Sequence, residues 1–311
     1  MTEPREPLAA TPGRDRPLLG IACKLGAALS FVLMFACVRW LGPEFPTGQA
    51  IFFRSVIALV PIVLAAHLTG GLAMLGTRRL GAHAIRSAFG TVAMFCNFAA
   101  FKILPLADAT AIGFAQPMFV VILAVLMLGE RVHIWRWSAV VIGFGGVVVM
   151  IGPNVDMGGG GSLNGALLAL AGAALAALAM IFLRRMSSYE HSITIAFYYS
   201  LTTMVAGFAT WPLGWIMLSV EEILILILCG GLAGGAQLFL SYSYRYAETS
   251  LLAPFDYTAM VWAILAGFVL FGELPAQQVW IGSAVVIAAG LMILWRERRL
   301  GRQRALRATS L

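Results

Sequence analysis

Ten apolar runs, each near the length of a membrane-crossing helix, alternate along the chain with short polar stretches. They span roughly residues 18–40, 47–69, 82–103, 108–128, 134–151, 163–183, 192–213, 222–243, 250–271 and 278–295. A helix needs about 20 mostly apolar residues to cross about 30 Å of hydrocarbon. None of the runs alternates apolar and polar side chains as a barrel strand does. Backbone facing lipid must satisfy its own hydrogen bonds, which a helix does locally. The pattern predicts an all-α fold: a polytopic membrane protein of ten transmembrane helices.

The polar stretches between the runs are of two kinds. Arg5, Arg14 and Arg16 mark the amino tail, Arg78 and Arg79 the second loop, Arg131 and Arg136 the fourth. Arg184 and Arg185 end the sixth run, Arg245 ends the eighth, and six arginines from Arg296 to Arg307 fill the carboxyl tail. The alternate loops carry Glu44, Asp156, Glu221, Glu222 and Glu273 and no Lys or Arg. Short basic loops stay in the cytoplasm, so both termini are expected there, in a multi-pass protein of the cell inner membrane. Tryptophans mark the interfaces at or near the run ends, and Trp262 alone lies deep in a run.

The two halves repeat. Lys102 precedes Glu130 by 28 positions, and Arg245 precedes Glu273 by 28. Each Glu follows a glycine and precedes a tryptophan, Trp137 or Trp280, by seven positions; one offset of 143 joins all these matches. Five spans per half is an odd number, so the second half enters the membrane upside down. Inverted five-helix repeats are typical of secondary transporters, whose site lies near the midplane between the halves. The expected organisation is a disordered cytoplasmic tail (1–17), a first repeat (18–151), a glycine-rich hinge around Gly158-Gly159-Gly160-Gly161 (152–162), a second repeat (163–296) and a basic cytoplasmic tail (297–311).

Composition agrees. Of 311 residues, 60% are hydrophobic and 11% charged, against about 45–50% and about 25% in soluble domains. The net charge of +7 lies mostly in loops and tails, where anionic headgroups meet it, so nucleic acid is not an expected partner. Cys23, Cys37, Cys96 and Cys229 form no CxxC pair and read as packing residues. The chain has no phosphate-binding GxxxxGK[ST] loop, no HExxH, no GxSxG and no metal-ligand cluster, so neither a cofactor nor a metal nor an ATP motor is expected.

Several motifs then fall into a known order: Phe52-Phe53-Arg54 early in the second run, Ala109 through Glu130 with Gln116-Pro117 inside, Tyr244-Arg245-Tyr246-Ala247, Ala253-Pro254-Phe255-Asp256-Tyr257, and Phe271-Gly272-Glu273. In these the chain resembles the drug/metabolite transporter superfamily, EamA type, over nearly its whole length. The resemblance implies a ten-helix, inverted-repeat carrier working by alternating access. Its relatives move amino acids, S-adenosylmethionine, riboflavin, sugars or drugs, and the wording here is most similar to the riboflavin and S-adenosylmethionine carriers. Gln116-Pro117 departs from the pattern, because many relatives have an acidic residue before that proline.

An ionisable residue inside a span needs a partner or a water-filled cavity. Asp256 is read as a proton-coupling or substrate-binding carboxylate, or else as a structural partner of Arg54, Arg86 or Arg245. Arg54 either anchors an anionic or ring substrate, by fork and stacking, or snorkels to the interface. Asn97, Gln116 and Gln237 can orient a polar ligand or hold helices together. Pro117 beside Gln116 can free a backbone carbonyl. Tyr257 and Trp262 either stack on a planar substrate or pack. Lys24 either snorkels or faces the cavity. The expected function is transport of a small organic metabolite, proton-coupled or facilitative. A non-transporting membrane scaffold and an integral-membrane lipid-modifying enzyme are the alternatives, the latter lacking the cluster of His, Asp or Glu it would need. The lipid bilayer is the surrounding partner, and monomer and homodimer both remain open.

Overall fold

The computed structural model describes residues 16–128, 134–156, 160–186, 189–247 and 249–308. Every regular element among them is helical: α1 (Pro17–Trp40), α2 (Thr47–Gly70), α3 (Leu80–Ile103), α4 (Leu106–Gly113), α5 (Gln116–Leu128), α6 (Ile134–Asp156), α7 (Gly160–Met186), α8 (Ser192–Phe208), α9 (Val220–Tyr246), α10 (Thr249–Leu252), α11 (Thr258–Phe271) and α12 (Gln277–Ala308). Seven apolar helical segments have the length and hydropathy to cross a bilayer, and three shorter ones (Trp137–Gly152, Ser192–Phe208, Gln277–Met292) accompany them. Leucines, valines and isoleucines such as Leu68, Val148 and Val269 stand exposed on the outside. Exposed apolar surface on that scale suits lipid rather than water.

Two runs expected as continuous helices are broken. The fourth starts at Leu106 and divides at Phe114 and Ala115 into α4 and α5. Pro117 has no N–H for the Gly113 carbonyl, and its ring crowds that turn. The chain tightens instead through Phe114 N–H to Ala111 and Ala115 N–H to Ile112. The ninth run divides in the same way into α10, a 3₁₀ turn over Ala253–Tyr257 containing Pro254, and α11. The seventh stops at Phe208, and Pro212 lies in a 3₁₀ turn beyond it. Of the expected hinge, residues 157–159 lie outside the described residues, and helix reaches it from both sides; the amino tail lies outside up to residue 15.

Packing carries the duplication. The main helix pairs are α1–α9 and α3–α7, α1–α11 and α5–α7, α2–α9 and α3–α8, with α2–α8 and α6–α12. Exchanging each element for its counterpart (α1 with α7, α2 with α8, α3 with α9, α5 with α11, α6 with α12) returns the same set of pairs. That invariance is what a two-fold relation between the halves produces. A local match supports it: Gly26-Ala27-Ala28-Leu29, Met34 and Arg39 recur in α7 as Gly172-Ala173-Ala174-Leu175, Met180 and Arg185. The helices approach through glycines. A Cβ on Gly207 would lie 2.7 Å from the Phe52 nitrogen, and one on Gly146 2.8 Å from the Gly282 carbonyl. Small residues at such crossings let backbones meet.

Polar contacts fasten the bundle's ends. At the Trp40 end Arg39 donates to the Leu104 carbonyl and to Glu273, whose other oxygen accepts from Leu106 N–H at 3.3 Å. Nearby, Gln49 and the Ile216 backbone exchange two hydrogen bonds, at 2.9 and 3.1 Å. At the Pro17 end Lys24 pairs with Asp256 at 2.6 Å. His83 is buried there, 3.9 Å from Glu190.

Candidate functional site

A cavity of about 240 Å³ opens inside the bundle, walled by α1, α2, α3, α5, α7, α8 and α9. It draws on both halves of the chain. Helical spacing explains the wall. On α3, Arg86, Gly90, Ala93, Met94 and Asn97 face it, and they recur at three- and four-residue steps, which puts them on one stripe. Phe31, Met34 and Phe35 of α1 and Ala176, Ala179, Met180 and Leu183 of α7 follow the same rule. Met34 and Met180, equivalent in the repeat, both line the cavity.

Four of the residues singled out from sequence meet here: Arg54, Asn97, Gln116 and Gln237. Arg54 is 5% exposed, so it does not snorkel. Its terminal nitrogen reaches the Met94 sulfur at 3.7 Å, a weak acceptor, and its Nε has no partner. The three amides make no side-chain hydrogen bond among the described residues, which leaves donors and acceptors open toward the space they line. Gly172 makes room for Asn97, because a Cβ there would collide with the amide oxygen. Gln116 begins α5 at the helix break, beside the carbonyl that Pro117 frees.

The other three candidates are not in the cavity wall. Asp256 lies in the 3₁₀ turn with its side chain 56% exposed, and it neutralises Lys24, which is 3% exposed. Lys24 also donates to the Tyr244 hydroxyl at 3.2 Å. Lys24 therefore neither snorkels free nor lines the cavity. Tyr257 rests 5.3 Å from Phe114, ring to ring, so the two broken spans touch at their breaks; its hydroxyl fills the space beside Gly290. Trp262 packs against a core cluster of α1, α3, α4, α7 and α11, and its indole N–H is buried without a partner.

The sequence reading missed Tyr199 as a wall residue and used Arg86 only as a partner for Asp256. Arg86 lies about 9 Å from the start of α3, and its guanidinium carbon stands 4.2 Å from the Tyr199 ring centre. Its Nε and one terminal nitrogen are buried without hydrogen-bond partners. Tyr199 is fixed by its hydroxyl, which donates to the Gly90 carbonyl at 3.3 Å. A Cβ on Gly90 would sit 2.9 Å from the Tyr199 ring, so glycine allows the stack. The usable signal was the position of Arg86 inside an apolar run, as with Arg54. A further acid, Asp108, is buried in the first turn of α4 with one oxygen unpartnered. Among the described residues no cluster of His, Cys, Asp or Glu could hold a metal ion.

The chain is similar to proteins of known description over nearly its full length. It is 28% identical to a riboflavin transporter of Rhizobium johnstonii, covering 94% of this chain and 96% of that one. It is 28% identical to an S-adenosylmethionine uptake transporter of Rickettsia prowazekii (84% and 87%) and 26% identical to a riboflavin transporter of Vibrio cholerae (94% and 98%). A solved crystal structure shares its fold at a TM-score of 0.62 and 20% identity, over 88% of this chain and 95% of the other. The family and its relatives are transporters, not enzymes. Residues 18–152 and 163–295 each match the EamA-like transporter family, and the chain belongs to it.

Proposed function

We propose that the protein is a secondary transporter that carries a small organic metabolite by alternating access. The observation that carries this reading is the cavity: it is enclosed by helices of both halves, lined by six apolar or aromatic side chains on α1 and α3 alone, and furnished with a few open polar groups. Small-molecule sites have this composition. Both broken spans are counterparts in the repeat, and discontinuous helices at corresponding positions accompany transporter sites. The seven long spans and three shorter apolar helices make ten crossings, with both termini cytoplasmic as the arginine-bearing loops require. The Trp40 end then faces outward, and its Arg39–Glu273 contact joins α1 to the loop after α11 on that side. Rocking of one half against the other opens one end as the other closes. Within the bilayer the wall contacts are Arg54, Asn97, Gln116 and Gln237. Substrates like those named for the relatives, a flavin or an adenosyl amino acid, are the first candidates, followed by other amino acids. Asp256, engaged with Lys24 outside the wall, serves coupling only if that pair opens during the cycle.

Counterflow in liposomes tests the proposal. Vesicles loaded with an unlabelled metabolite accumulate the labelled form when the protein is present. Absence of counterflow across flavins, nucleosides, amino acids and S-adenosylmethionine would favour the scaffold reading.

A further inference from the structure

We infer that the cavity selects an organic anion: a solute with an apolar or aromatic body bearing a carboxylate or phosphate group, bound against Arg54 and Arg86. The inference rests on the transporter reading above and names its substrate class.

Two guanidiniums line one cavity, and no carboxylate among the described residues lines it with them. Neither forms an ion pair there. Arg54, 5% exposed, has only a thioether within reach of its fork and an Nε with no partner. Arg86 has a tyrosine ring on one face and two buried nitrogens unpaired. Arginine does not shed its proton, so both positive charges persist. A buried charge lacking its partner is costly, and charged residues inside a membrane almost always face one another, a carbonyl or a water-filled path. Other cations deep in the bundle have protein partners: Lys24 has Asp256, Arg39 has Glu273, and Lys102 has the Phe45 carbonyl. The two arginines of the cavity have no such protein partner and face an open space instead, where an anion can enter from solution.

The surroundings define the rest of the solute. Met94, which Arg54 reaches, lies eight residues beyond Arg86 on α3, about 12 Å along the axis. The two charges therefore mark separate parts of the cavity rather than one tight clamp. The same cavity is lined by Phe31, Phe35 and Phe98 and by the amides of Asn97 and Gln116. An oxyanion meets the guanidinium fork in charge-assisted hydrogen bonds, and the ring body fills the aromatic stretch. The same two uncompensated charges repel a cation, so a sulfonium compound is disfavoured here.

Matched solutes test this with the purified full-length protein. Riboflavin, its 5′-phosphate and a 10-carboxymethyl flavin share one ring system and differ in charge and in the oxyanion. S-adenosylmethionine and S-adenosylhomocysteine differ by the sulfonium charge. Affinities follow from flavin fluorescence and from calorimetry. The phosphate or the carboxylate flavin, or both, should bind at least tenfold tighter than riboflavin, and the member that does so identifies the oxyanion. The homocysteine compound should bind tighter than the sulfonium. The preference should vanish in Arg54→Gln/Arg86→Gln and return in part in Arg54→Lys/Arg86→Lys. A melting temperature for each variant separates lost binding from lost fold; if the Gln pair does not fold, the matched affinities of the wild-type protein decide alone. Riboflavin binding as tightly as both anions overturns the inference, as does a preference that persists in the folded Gln pair, or binding of no anion at all. If an uncharged metabolite still shows counterflow, the transporter reading stands and only this inference falls.

Discussion

Breaking the Lys24–Asp256 pair should cost very different amounts depending on which partner is removed. Lys24 Nζ lies 2.6 Å from the Asp256 carboxylate, yet the lysine is 3% exposed and the aspartate 56%. Asp256→Ala leaves a buried ammonium with one neutral acceptor, the Tyr244 hydroxyl at 3.2 Å. Removing one partner of a buried pair costs about 3–5 kcal/mol, and the exposure of Asp256 puts this case near 3 kcal/mol. Lys24→Met keeps the unbranched stem and leaves a carboxylate that is 56% exposed rather than buried. Its cost should resemble that of losing an exposed pair, about 1 kcal/mol or less. Once the lysine is gone, Ala at 256 adds little, so the double variant should sit near Lys24→Met. The coupling in the cycle is then about 3 kcal/mol. Thermal unfolding of the four proteins in one detergent should rank wild type first, Lys24→Met and the double variant next, and Asp256→Ala last. Equal losses in the two single variants, or a greater loss in Lys24→Met, would refute the reasoning. Transport by the double variant also separates structure from coupling. A coupling carboxylate leaves it inactive, whereas a purely structural pair leaves it as active as Lys24→Met.

Three further outcomes follow from the packing. Gly146→Val should destabilise the α6–α12 seam by about 1–3 kcal/mol, because its Cβ would press on the Gly282 backbone, which no rotamer relieves; the melting temperature of the purified variant reads this. Glu273→Gln should weaken the contact with Arg39 and Leu106 and raise labelling of a cysteine placed in the cavity by an impermeant thiol reagent added outside, whereas unchanged labelling would exclude a latch at that end. Tyr199→Phe should retain the stack under Arg86 and cost about 1 kcal/mol for the lost bond to Gly90, while Tyr199→Ala should lower substrate affinity as well; equal affinity in the two variants would show that the ring does not position Arg86.

The sequence by itself determined that the chain is helical and lipid-solvated, which end of each apolar run carries the positive charge, and that the two halves are copies. These are local quantities. Run length measures hydrocarbon thickness, and the repeated Gly-Glu and tryptophan spacings need no neighbour to be read. The breaks at Pro117 and Pro254, in runs expected as continuous helices, have an equally local cause, because a missing N–H acts within one helical turn. Arg54, Asn97, Gln116 and Gln237 were legible for the same reason: a polar side chain deep in an apolar run has few places to go. Only the tertiary structure decided which of these share a space. Lys24 and Asp256 are 232 positions apart, and their pairing depends on how α1 lies against the turn before α11. That contact removed Asp256 from the cavity wall, while the packing of α3 against α8 put Arg86 and Tyr199 into it. Hydropathy along one helix records how deep a group lies. It cannot record what stands opposite, because that depends on the rotation and crossing of helices far apart in sequence.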